Sequence, residues 1–245
     1  MFPSGIRIFL LIVSVSLTSC FYLKREDAID DGVQRSYFQD GKIHKEISLK
    51  GGVMTGTYRE YFHSGQLFRE VNFINNKREG LEQKFYETGV HYEEVPYVNG
   101  RIHGNYKKYR RTGELMSEIP YYEGNLCAGL KEYTVEGKLK THYPFVVINA
   151  IDNLKDNRYT LEIRMSDERR GGVEYFRGQL TGEKYLGGQA IQLLNVDHGV
   201  ARLEFEVVPG TFVMEQIHFI AKVKTEQSNY LLVEATYNLA VVNRY

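Results

Sequence analysis

Three features of the 245-residue sequence predict an all-β fold: an antiparallel meander of repeated β-hairpins, then a C-terminal β-sandwich of immunoglobulin-like size. The first is composition. Nineteen Tyr, 13 Phe and 23 Gly stand against 5 Pro, a mixture of strand formers and turn residues. The second is a 24-residue period through the first half of the chain. The third is the loss of that period near Pro144, where new alternating runs begin. The expected organisation is a signal segment over 1–19, a tether over 20–31, hairpin repeats over 32–143 and the sandwich over 144–245.

The chain opens MFPSGIRIFLLIVSVSLTSC, with Arg7 ahead of an apolar run from Ile8 to Leu17. That run is too short for a bilayer core, which needs about 20 residues, and reads as a secretory signal. Leu17-Thr18-Ser19-Cys20 resembles the bacterial lipobox. The resemblance implies cleavage before Cys20, with acyl chains such as palmitate on its thiol and amine. Two or more chains hold a protein stably at a membrane surface. The expected location is therefore the cell envelope, lipid-anchored. Phe21 stands where an Asp favours inner-membrane retention, which points to the outer membrane. Lys24 to Asp27, with Asp30 and Asp31, reads as a solvated linker; it is also similar to the export tether of some surface lipoproteins, so the membrane face stays open.

Cleavage removes Arg7 and leaves 30 basic against 31 acidic residues, a net charge of −1. Near-neutrality gives no electrostatic basis for nucleic-acid binding. With Cys20 lipidated, Cys127 is the one remaining cysteine and has no internal partner. It reads as a small buried side chain in preference to a reactive thiol.

The repeat is visible column by column. Gly32, Gly56, Gly80, Gly104 and Gly129 form one set; Gly41, Gly65, Gly89, Gly113 and Gly137 form another. Between them recur Tyr37, Tyr61, Phe85, Tyr109 and Tyr133. After them come Ile43, Leu67, His91, Leu115 and Leu139, then Glu46, Glu70, Glu94 and Glu118. Ile47, Val71, Val95 and Ile119 follow, then Leu49, Phe73, Tyr97 and Tyr121. Each copy predicts two strands around a glycine turn. Asn99-Gly100 is the strongest turn signal and joins the third copy to the fourth. Alternation places Leu67, Val71 and Phe73 on one strand face and Glu70 and Asn72 on the other. Stacked glutamates repel; Lys45, Arg69 and Lys108 are the expected compensating charges. Pro96 and Pro120 share a column and predict a local break in the ladder.

These columns resemble the MORN-variant repeats of the YwqK-type antitoxin family over about residues 32–143. The resemblance implies β-hairpin arrays without a catalytic centre, acting by protein binding to neutralise a toxin. A lipid anchor and an added C-terminal domain set this chain apart from that pattern.

Beyond Pro144 the alternation defines about seven strands: Phe145 to Ile148, Tyr159 to Met165, Val173 to Phe176, Ala190 to Leu194, Ala201 to Val207, Val213 to Val223 and Leu231 to Val241. This number suits a two-sheet sandwich. Asp152 to Asn157 and Arg169 to Gly172 read as loops.

The sequence carries no G-x-S-x-G, HExxH, P-loop or C-x-x-C, and its seven His are scattered without metal-ligand spacing. The glutamate columns read as a solvated sheet face and not as paired catalytic carboxylates. The expectation is a non-catalytic envelope scaffold, without cofactor or metal, that binds a protein or surface partner. The alternative is an immunity-type antitoxin. The residues expected to bind are exposed aromatics on the less apolar face: Tyr58, Phe62 and Tyr106.

Overall fold

A computed structural model describes residues 31–187 and 191–245. Cys20, the signal segment and most of the tether lie outside the described residues, as does Ala190 at the start of one expected strand.

The repeats form one eleven-stranded antiparallel sheet. Its strands are β1 (Gly32–Tyr37), β2 (Ile43–Lys50), β3 (Val53–Tyr61), β4 (Leu67–Ile74), β5 (Lys77–Phe85) and β6 (His91–Val98). Then come β7 (Arg101–Ile102), β8 (Gly104–Tyr109), β9 (Leu115–Tyr122), β10 (Asn125–Leu126) and β11 (Lys131–Glu132). The order is β1-β2-β3-β4-β5-β6-β8-β9-β10, with β7 beside β6 and β11 beside β9.

Two turn types alternate. Within each copy the amide of Phe38, Phe62, Tyr86, Arg110 or Thr134 donates to the carbonyl four residues on, at 2.8–2.9 Å. The glycine amide of the same turn donates back to the first residue. Between copies lie Gly51-Gly52, Asn75-Asn76, Asn99-Gly100 and Glu123-Gly124, all eight residues at positive φ. Two such residues make the turn whose twist matches a hairpin. Asn and Gly tolerate that backbone; Glu123, at φ 46°, is the misfit.

Each hairpin also carries a bulge beside its glycine turn, with register shifts at Glu60/Tyr61, Lys84/Phe85 and Lys108/Tyr109. One extra residue reverses the side to which the chain points. Leu67 therefore pairs with Tyr61, whose hydroxyl donates to Glu46 at 2.8 Å. That overturns the expected alternation: Leu67 joins the glutamate face, opposite Val71 and Phe73. The fifth copy keeps its turn but only an isolated Tyr133–Leu139 bridge beyond it. No second strand forms there, and His142 stands where the other copies carry the column glutamate.

The sandwich is built of β12 (Val146–Asn153), β13 (Arg158–Met165), β14 (Val173–Arg177), β15 (Gln192–Leu193), β16 (Val196–Asp197), β17 (Val200–Glu206), β18 (Phe212–Lys224) and β19 (Tyr230–Val242). One sheet is ordered β12-β13-β17-β16 and the other β15-β14-β18-β19. The expected loop over Asp152 to Asn157 is mostly ordered: β12 runs to Asn153, and a 3-10 turn over Leu154–Asp156 buries Leu154. Leu161, Ile163 and Met165 of β13 meet Ile217, Phe219, Ala221 and Val223 of β18 in one cluster. All are buried, and each large apolar side chain stabilises by roughly 1.5–3 kcal/mol. Ile119 and Leu130 of the repeat region belong to the same cluster. The sandwich thus covers the C-terminal end of the repeat sheet, and the β1 edge lies at the other end.

Candidate functional site: the charge rows of the repeat sheet

Register sets charged residues in a line across the glutamate face. Reading strand to strand, Arg35, Glu46, Arg59, Glu70, Gln83, Glu94, Lys107, Glu118 and Lys131 are successive partners. The cations keep the 24-residue period of the glutamates, except that Gln83 takes the middle position. Arg35 lies 2.8 Å from Glu46, Arg59 2.5 Å from Glu70, and Lys131 3.4 Å from Glu118. Tyr61 donates to Glu46, and Tyr109 donates to Glu94 at 2.9 Å. The Arg35 and Tyr61 hydrogen bonds hold Glu46 below the usual carboxylate range. Burial, with the Glu94 carboxylate beside it, pushes Tyr109 up to about 12.

These partners correct the expected compensation. Lys45, Arg69 and Lys108 lie on the opposite face, in a row Lys45, Glu60, Arg69, Lys84, Glu93, Lys108, Ser117, Glu132. Proximity in sequence suggested the wrong set, because residues adjacent along a strand point to opposite faces. The row alternates imperfectly. Arg69 and Lys84 are neighbours, and buried Glu82 settles the excess at 2.9 Å from Arg69 and 3.3 Å from Arg78. Glu82 stands in a column that holds Gln34, Tyr58, Tyr106 and Leu130 in other copies. Arg78 also lies over the Tyr97 ring, 4.2 Å from its centre.

The sheet joins the sandwich through this second row. Lys108 donates to Asn229 at 2.9 Å, and Asn229 donates to Glu132 at 2.8 Å. Thr225 donates to the same carboxylate at 2.5 Å.

The expected binding aromatics lie elsewhere than anticipated. Tyr58 and Tyr106 sit on this more apolar face and are half-buried. Tyr58 donates to Glu60 at 3.0 Å, under Arg69; burial, then Glu60, pushes it up to about 12. Tyr106 packs against the sandwich core and donates to Glu93. Burial, then that bond, raises its pKa strongly. Phe62 packs edge-on against Phe68 at 5.0 Å. All three help to hold the sheet together. Cys127 is buried, and burial pushes its thiol up. Among the described residues no group of three or more His, Cys, Asp or Glu is placed to hold a metal.

The geometry defines a class: an antiparallel hairpin-repeat sheet, laced by charge ladders and capped at one end by a sandwich. The repeat itself matches a described family. Residues 30–50, 54–75, 78–99 and 102–121 each match the MORN repeat variant model. The matches end at residue 121, ahead of the fifth copy. No curated protein sequence matches the chain. Among solved structures, the extracellular domain of a one-component system of B. thetaiotaomicron is similar at a TM-score of 0.26 and 7% identity, over 86% of this chain and 31% of that one.

Proposed function

We propose that this chain is a lipid-anchored, non-catalytic scaffold of the cell envelope whose repeat array binds a protein partner. The observation that carries the reading is the array itself. Four matched MORN-variant copies tie their charged side chains to one another across both faces of a single sheet. Such a sheet is a regular platform with one end covered by the sandwich. MORN repeats often serve as protein- or membrane-binding scaffolds. The segment Leu17-Thr18-Ser19-Cys20 supplies the anchor.

The test is crosslinking on intact cells, with capture through a C-terminal tag and identification by mass spectrometry. A reproducible envelope protein supports the scaffold. A secreted toxin as the main product moves the assignment to an antitoxin. Nothing above background overturns partner binding. In parallel, Cys20→Ser is expected to abolish labelling by a palmitate analogue and release the protein from membranes. Labelling that survives the substitution overturns the anchor.

A further inference from the structure

We propose that β1, the outer edge of the repeat sheet, is a docking site for a β-strand of a partner protein that sets one carboxylate opposite Arg35; this deepens the scaffold reading and rests on it. Inside the sheet, the first strand of each hairpin lies between two second strands. Arg59 faces Glu46 on one side and Glu70 on the other; Lys107 faces Glu94 and Glu118. Arg35 occupies the same column and is bonded to Glu46. Among the described residues no strand lies on its other side, and its side chain is 47% exposed. A strand that completes the row places a carboxylate opposite Arg35.

A glycine gives independent support. Of the four interior glycines of this column, Gly56, Gly104 and Gly129 adopt φ of +110°, +109° and +106°, while Gly80, at +78°, has nothing within 4 Å of its would-be Cβ. A Cβ at the first three would meet Ser48 at 3.0 Å, Pro96 at 3.3 Å and Pro120 at 3.6 Å. At these positions glycine makes room for the preceding strand. Gly32 takes the same conformation, φ +120°, yet no atom lies within 4 Å of its would-be Cβ. The edge strand therefore has the shape of an interior strand. All six of its residues are exposed. An unpaired edge of this kind is a template for strand addition. Self-pairing of two copies fits poorly, since β1 carries Arg35 and no carboxylate, and like charges across a pair oppose association. The occupant resembles β2, IHKEISLK, whose Glu46 faces Arg59 in the same geometry.

A fluorescent peptide of sequence IHKEISLK, titrated into the full chain, tests this. Saturable binding is expected. Changing the peptide glutamate to lysine weakens it about tenfold or more. Arg35→Glu in the protein reverses the preference, with the strand signature in circular dichroism unchanged. Absent binding, or binding indifferent to both charge changes, overturns the proposal. So does binding by a chain lacking residues 1–30 when the full chain fails to bind, because the chain's own N-terminal segment then covers the edge. If tagged Arg35→Glu captures its cellular partner unchanged, the edge proposal falls and the scaffold reading stands. Failure of the wild-type protein to capture any partner removes the scaffold reading itself.

Discussion

Glu82 offers the sharpest test of how the sheet is held together. It is 1% exposed, in a column otherwise occupied by Gln34, Tyr58, Tyr106 and Leu130. Its carboxylate lies 2.9 Å from Arg69. At an effective dielectric of about 20 that pair attracts by roughly 6 kcal/mol, before desolvation costs of several kcal/mol per ion. Removing one partner of a fully buried pair costs about 3–5 kcal/mol. Here the side chains of Arg69 and Arg78 stay 24% and 37% exposed, so both regain water and the cost falls to about 1–3 kcal/mol. Glu82→Gln is expected to destabilise by that amount. Glu82→Leu is expected to cost less, because Val71 and Val95 flank the site and an apolar side chain recovers burial there. Urea unfolding of the two variants measures the difference, with an unchanged slope showing that only stability moved. Wild-type stability in the Gln variant, or a Leu variant weaker than Gln, refutes the reasoning.

Three further outcomes follow from the ladders and turns. Phe85 occupies the column of Tyr61 and Tyr109, which bond the glutamate 15 positions earlier; Phe85→Tyr supplies Glu70 with the missing donor and is expected to stabilise by about 0.5–1.5 kcal/mol in thermal melts. Glu123→Asn places a tolerant residue at φ 46° and is expected to stabilise by about 0.5–1 kcal/mol; its exposed pair with Arg101, at 3.7 Å, contributes little. Glu46 is held below its ordinary 4.5 by Arg35 and Tyr61, so its contribution is complete above that value and disappears as pH falls through the lower folded one. Glu46→Gln is therefore expected to flatten the acid limb of a stability–pH profile, and an unaltered limb contradicts the assignment.

Much of the fold was legible because a 24-residue period leaves few alternatives: equivalent residues must occupy equivalent strand positions. Asn99-Gly100 announced its turn through the backbone that Asn and Gly tolerate; Glu123-Gly124 hid the same turn behind an ill-suited residue. The bulges were less visible. A single extra residue near Phe68 moves Leu67 across the sheet, and no residue type marks it. The partners of the glutamates were present in the sequence as Arg35, Arg59, Lys107 and Lys131, at the same period. Only the register shows that these, and not Lys45, Arg69 and Lys108, share their face. Tyr58 and Tyr106 looked available because aromatic residues in polar strands read as exposed. What covers Tyr106 is the sandwich, whose contact with Ile119 and Leu130 has no local signature.

The central claim, that the repeat array is a partner-binding platform, is most directly tested by site-specific photocrosslinking in intact cells. A crosslinking residue is placed in turn at Val33 on the β1 edge, at Leu81 on the sheet, and at Gln216 on the far sandwich strand. The account expects one discrete adduct, strongest from Val33 and lost with the competing edge peptide. Adducts from Gln216 alone, or the same background pattern from all three positions, contradict it.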